Sequence, residues 1–300
     1  MPQFRQTVCR RAGHRCYYAA FQVLLCLLAV AATTHATEYP LNQSGYRLDY
    51  WTTDNGLPQN SVLAIVQTRD GYLWLATSDG LARYDGVRFT IFNRSNTPGL
   101  LSNRFSALYE APDGALWAGT EEGGVARYQA RVFTSYTTAQ GLPDNLVLSI
   151  FGDHDGNVLI TTNKGVAFWR DGHFAPFADN QPWAERRVYL SPSGTLWLVE
   201  KERLRRLKNG QESVYPFKPC PSSDVSEPRY EDSQGRLWLT TDCQLMSFAD
   251  GRFTVADANL QSILPVGNSM RNVYEDRQGD LWFGARTGLF HVAAKVLLFP

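Results

Sequence analysis

Between Asp70 and Phe89 the chain reads DGYLWLATSDGLARYDGVRF, with apolar positions in short runs that a glycine or an Asp-Gly pair cuts off. Runs this short do not make helices, and Asp-Gly pairs are turn chemistry for antiparallel hairpins. The first copy offers four strands, SVLAIVQT, YLWLAT, LARYD and RFTIFN, separated by RDG, SDG and DG. In YLWLAT, Trp74 points to one side of the strand while Leu73 and Leu75 point to the other. Both sides are apolar, as in a sheet covered on both faces.

The phrase then repeats. Gly71, Gly114, Gly156, Gly194, Gly235 and Gly279 follow one another at 43, 42, 38, 41 and 44 residues. After them come YLWLAT, ALWAGT, NVLITT, TLWLVE, RLWLTT and DLWFGA; the third has Leu159 where the others have tryptophan. Periods of about 40–50 residues with four strands each are those of propeller blades. A sheet apolar on both faces cannot bury itself, so copies must stack until neighbours cover it. The expected fold is all-β: a β-propeller of four-stranded antiparallel blades over residues 46–300, six blades visible. Trp74, Trp117, Trp197, Trp238 and Trp282 are assigned to packing between blades. Two closures stay open. YRLDYWTT (Tyr46–Thr53) resembles the fourth-strand phrases, and KVLLFP (Lys295–Pro300) could end the sixth blade. The ring is either six-bladed or a seven-bladed ring cut before its last blade.

The first residues break this pattern. Arg5, Arg10, Arg11 and Arg15 precede the apolar run AAFQVLLCLLAVAA and then TTHATE, the three-part layout of a secretory signal. Residues 1–36 are expected to be that signal, cleaved after Ala36, with 37–45 a short linker; an uncleaved membrane anchor is the alternative. The sequence carries 29 basic and 29 acidic residues, and the signal removes four arginines and no acid. A near-neutral, mildly acidic chain gives no electrostatic reason to bind nucleic acid. Cys220 and Cys243 are the cysteines left after the signal, and an even pair in an oxidising compartment is a candidate disulfide.

A second phrase leads into the first strand of three copies: TTDNGLPQNSV, RSNTPGLLSNRF and TTAQGLPDNLV, with Asn60, Asn103 and Asn145 at matching places. These asparagines shape a turn or offer a polar rim to a ligand. Alternation of strand direction puts the lead-in loops and the loops between second and third strands on one face. Asn60, Asp79, Asn103, Glu121, Asn145 and Lys164 are the candidate groups there for a small polar ligand. The run EKERLRRLKNG (Glu200–Gly210) reads as exposed surface, with Arg203, Arg205 and Arg206 a lesser candidate for a charged partner. Catalysis needs a nucleophile with its base, paired carboxylates or a metal cluster. His154, His173 and His291 stand apart from one another at no metal-ligand spacing, so no catalytic residue, metal or cofactor is expected.

At the level of DG-x-LW-x-x-T-x-x-GL-x-R-Y with GLP-x-N before it, the chain resembles the two-component regulator propeller repeats. The resemblance covers Tyr46 to about Phe299. These repeats form the periplasmic sensor half of bacterial hybrid histidine kinases and related diguanylate cyclases. It implies an exported periplasmic sensor that recognises a polar cue such as an oligosaccharide, with a membrane-bound histidine kinase or cyclase as output partner. No kinase or cyclase motif follows Phe299, so the resemblance implies no such activity here; the chain is read as the N-terminal piece of a longer receptor. Two rivals stay open. One is a propeller lyase, for streptogramin-inactivating lyases share the DG-x-LWF phrase; the other is a pure interaction scaffold.

Overall fold

The computed structural model describes residues 51–176, 187–200, 202–216, 226–241, 245–255, 270–276, 278–285 and 288–292. The expected signal, linker and disulfide cysteines lie outside the described residues. Six antiparallel sheets follow one another along the chain, each built from consecutive strands in chain order. Blade 1 is β1 (Val62–Gln67), β2 (Leu73–Thr77), β3 (Gly80–Tyr84) and β4 (Phe89–Phe92). Blade 2 is β5 (Phe105–Glu110), β6 (Leu116–Thr120), β7 (Val125–Gln129) and β8 (Val132–Tyr136). Blade 3 is β9 (Val147–Gly152), β10 (Val158–Thr162), β11 (Gly165–Arg170) and β12 (His173–Pro176). Blade 4 is β13 (Arg187–Leu190), β14 (Leu196–Glu200), β15 (Arg203–Lys208) and β16 (Gln211–Pro216). Blade 5 is β17 (Ser226–Glu231), β18 (Leu237–Thr241), β19 (Leu245–Ala249) and β20 (Arg252–Val255). Blade 6 shows β21 (Met270–Glu275), β22 (Leu281–Ala285) and β23 (Gly288–Val292). The all-β propeller of antiparallel blades expected from the repeat is the fold, with six blades among the described residues.

The repeated phrase is one turn made six times. The glycine N–H donates to the carbonyl three residues back, as in Gly71 to Thr68, Gly156 to Asp153 and Gly279 to Asp276. The residue at that earlier place donates its own N–H across the turn, as in Asp232 to Arg236 at 2.9 Å. All six glycines take positive φ, from 74° to 90°, which L side chains rarely adopt. The threonine closing β2, β6 and β10 serves the opposite end: Thr77, Thr120 and Thr162 donate Oγ1 to the carbonyls of Gly80, Gly124 and Gly165.

The indoles lie in the seams between blades. Trp74 packs on Tyr128 of blade 2, Trp117 on Trp169 and Phe174 of blade 3, Trp197 on Phe248 of blade 5, and Trp238 on Phe283 of blade 6. These four are at most 3% exposed. Trp282 differs: it is only half-buried, and Tyr274 beside it in register is 63% exposed. The other four indoles of the repeated phrase face the blade that follows; among the described residues no aromatic contact joins blade 6 to blade 1. Opposite the indoles in the sheet register stand Arg83, Arg127 and Arg206, whose guanidinium groups lie 5.5–5.6 Å from the ring centroids.

The stretch from Tyr46 to Thr53 does not continue as a strand in its described part. Thr53–Asn55 form a 3-10 turn closed by Gly56. Trp51 nonetheless packs on Tyr84 and Phe89 as Phe92 packs on Tyr128 and Phe133, and Tyr136 on Trp169 and Phe174. It fills the place of a last-strand aromatic on the open flank of blade 1.

Candidate functional site

The lead-in loops share one construction. In blades 1 and 3, Thr52 and Thr137 cap a 3-10 turn in a reciprocal box with Asn55 and Gln140, and a glycine at φ 110° or 107° ends it. The leucine of each GL pair, Leu57, Leu100 or Leu142, is buried in the flank or seam in front of its blade. The asparagine then closes the loop. Asn60 Oδ1 accepts the Thr53 N–H at 2.7 Å, Asn103 that of Arg94 at 2.9 Å, and Asn145 that of Thr138 at 2.9 Å. The turn-shaping role is therefore what these Oδ1 atoms perform.

Two of the remaining candidates are ion-paired within their own blade. Glu121 pairs with Arg104 in blade 2, and Lys164 lies 3.5 Å from Asp144 in blade 3. The Glu121 carboxylate raises the Arg104 pKa above its ordinary value. At Asp144 desolvation pushes upward, but the N–H groups of Leu146 and Asn145, with Lys164, hold the carboxyl below its usual range. Asp79 is exposed, with its backbone N–H on Thr77 Oγ1. Further links stiffen the face: the Glu121 N–H reaches Arg104 O, and Gly124 N–H reaches Asn145 O of the next blade, both at 3.0 Å. The result is a crown of short, hydrogen-bonded loops whose exposed side chains differ from blade to blade.

The opposite face carries a network that spacing did not reveal. Glu110, Glu231 and Glu275 end the first strands of blades 2, 5 and 6 and reach back to the previous blade. Glu110 accepts the Arg69 N–H, Glu231 accepts Ser193 Oγ and Trp197 Nε1, and Glu275 accepts the Ser233 N–H and Oγ. Tyr189 OH accepts the Glu231 N–H, and Tyr230 OH donates to Glu275. Burial pushes the Tyr109 phenol up to about 12 and drives Tyr189 and Tyr230 in the same direction. The missed signal is simple: each of these glutamates stands seven residues before a tryptophan.

The turns on this face also absorb their acids. Asp153, which with Asp155 flanks His154, accepts the N–H groups of Asp155 and Asn157 and the Asn157 side-chain amide. Asp232 and Asp276 accept two backbone N–H groups each and the indole N–H of Trp238 and Trp282. The Trp282 bond is the main reason the Asp276 carboxyl lies below its ordinary value. In the basic run, Arg203 and Arg205 pair with Glu200, and Arg205 also with Glu212; Arg206 lies over Trp197. His173 is exposed with Nδ1 on its own turn, and His291 Nε2 lies 2.8 Å from Asp280.

Three segments, residues 56–79, 99–122 and 264–287, match the family model described as two component regulator propeller. The first two each run from the glycine of a lead-in loop through the first hairpin to the crown. Those three segments are similar to two component regulator propeller repeats. Comparison with curated proteins found no match. Among solved structures, the propeller is similar to the extracellular domain of a hybrid two component system from B. thetaiotaomicron, with 22% identity and a TM-score of 0.63 over 82% of this chain. A one component system domain from the same organism aligns at 17% identity and 0.63 over 81% of this chain. The chain spans 35% of the length of each. It is also similar to virginiamycin B lyase from Staphylococcus aureus, at 14% identity and 0.59, covering 81% of this chain and 85% of that one. At these identities the likeness establishes the propeller fold of the repeats. Among the described residues no helix is long and apolar enough to cross a membrane.

Proposed function

We propose that this repeat protein is the exported, periplasmic sensing module of a bacterial two-component pathway, taking a polar ligand such as an oligosaccharide on its crown. The output partner in this reading is a membrane-bound histidine kinase or cyclase. The observation that carries it is the crown: three lead-in loops locked by the same asparagine clamp stand beside three hairpin loops, held by threonine hydroxyls, that present dissimilar polar groups. Loops ordered before binding lose little entropy when a ligand arrives. The similarity of three segments to two component regulator propeller repeats supports the pathway part of this reading.

The test is a thermal-shift screen against plant, fungal and host oligosaccharides. A binder is expected to raise Tm in a saturable way, and combined Asp79→Ala, Glu121→Ala and Lys164→Ala substitution to remove the rise. A screen with no responder, or a triple variant that responds like the parent, rules out the crown. The likeness to propeller lyases supports a second reading, which predicts metal-dependent turnover of a cyclic ester or glycan by the purified chain. The sensor reading expects both to be returned unchanged.

A further inference from the structure

Blade 6 departs from its sisters at one place, where the turn before the second strand meets the third strand. In blade 5 that place carries a cation: Arg236 Nε lies 2.7 Å from Asp232 Oδ2, and its guanidinium sits 5.4 Å from the Trp238 centroid. Blades 2 and 3 also put arginine there, Arg127 on Asp113 at 2.6 Å and Arg170 on Asn157 at 2.7 Å. Aligned on the turn, Arg236 becomes Asp280 and Ser247, opposite the indole, becomes His291. A guanidinium and a hydroxyl are replaced by a carboxylate and an imidazole, while the turn aspartate stays. The site that holds a cation in the sister blades becomes a set of metal donors.

We propose that Asp276, Asp280 and His291 bind one divalent transition-metal cation. One ligand atom from each lies within 4.8 Å of the other two. Two donors are oriented by contacts outside the set. Asp276 Oδ1 accepts the N–H groups of Gln278 and Asp280, and its Oδ2 accepts Trp282 Nε1–H at 2.8 Å. The His291 ring rests on the Trp282 indole, centroids 4.4 Å apart. Such second contacts hold ligand orientation in established metal sites. An imidazole with two carboxylates favours zinc, cobalt or nickel over calcium or magnesium, which prefer oxygen donors alone. His291 is exposed, so water can complete the coordination. The ion would staple the β21–β22 turn to β23.

The experiment uses the full chain, stripped with chelator and titrated with ZnCl2 by calorimetry and thermal shift. The expected result is one ion per chain and a saturable rise in Tm, with affinity at least about tenfold weaker in His291→Ala and Asp280→Asn. A variant with His14, His35, His154 and His173 all changed to alanine should keep the wild-type response. Co2+ in place of zinc gives a second readout independent of stability: a visible ligand-field band that His291→Ala loses. The assignment is overturned if zinc produces no rise, if CaCl2 produces the same rise, or if His291→Ala and Asp280→Asn bind zinc like the parent.

Discussion

The seam between blades 4 and 5 allows the packing argument to be tested by a coupling energy. Trp197 is 3% exposed and donates Nε1–H to Glu231 Oε2 at 2.6 Å across the seam, while Ser193 Oγ holds Glu231 Oε1 at 2.8 Å. Trp197→Phe keeps an aromatic ring against Phe248 but removes the donor and part of the ring. Lost apolar burial contributes about 1 kcal/mol and the charge-assisted hydrogen bond about 1.5–3 kcal/mol, so the expected cost is about 3 kcal/mol. Glu231→Gln keeps an acceptor but removes the charge, at about 1–2 kcal/mol. Because each single change already removes the charge-assisted part of the shared bond, the double variant should cost about 1 kcal/mol less than the sum of the two. Urea unfolding followed by far-ultraviolet circular dichroism gives all four stabilities. Trp238→Phe is the control, since its indole bonds Asp232 in its own blade at 2.9 Å and should not couple to Glu231. A Trp197→Phe cost below about 0.5 kcal/mol, or additivity within about 0.3–0.5 kcal/mol, would show that the indole does not join the blades.

Gly124→Ala should abolish folding or lower Tm sharply, because a Cβ there would fall 2.0 Å from Tyr136 O at a φ of +73°; a melting curve close to that of the parent contradicts the geometry. Asn145→Ala should cost about 1 kcal/mol by freeing the Thr138 N–H, whereas Lys164→Ala, which removes only an exposed ion pair, should stay within about 0.5 kcal/mol in the same urea assay. Alkaline titration should destabilise the fold. Burial raises the folded pKa of Tyr109 to about 12 and that of Tyr189 and Tyr230 likewise above their ordinary 10.0. Folded phenols keep protons that unfolded ones lose, so stability is intact below pH 10 and falls as pH climbs through the folded values. Urea midpoints at pH 8, 10 and 11 should drop only over the last step, by less in Tyr109→Phe.

The turn and the indole were legible because both recur at one period and depend on local bonds. A glycine that must take positive φ and a tryptophan three residues later announce the hairpin wherever they fall. The asparagine clamp was half legible. Asn60, Asn103 and Asn145 align, but their partners stand seven or nine residues upstream, a distance fixed only once the loop is folded. The glutamate ladder was illegible as an interaction because its partners lie in another blade, 34 to 42 residues away. The exposed flank of blade 6 could not be read either, since Trp282 sits in the same phrase as its buried sisters and only its surroundings differ.

Where one side of a seam changes, the other side changes with it. Blade 3 has Leu159 in place of tryptophan, and the buried part of the seam it forms with blade 4 is an aliphatic cluster of Leu159, Val166, Val188, Leu190, Leu196 and Leu198, with half-buried Phe151 and Phe168 packed against it. Blade 3 also ends β9 in Gly152 rather than glutamate, and a Cβ there would lie 2.3 Å from the hydroxyl of Tyr109, the blade 2 residue that fills the place. Substitutions on a packed flank are tolerated only as matched sets, because a cavity or clash in a seam costs several kcal/mol. The crown loops answer to no such rule. Leucine anchors and asparagine clamps fix the lead-in loops, and Thr77, Thr120 and Thr162 fix the hairpin loops beside them, so Asp79, Glu121 and Lys164 can occupy related positions with opposite charges and leave the seams untouched. A scaffold that constrains its flanks this tightly and its crown this loosely concentrates the freedom to recognise on one face, which is the physical reason to look for the ligand there.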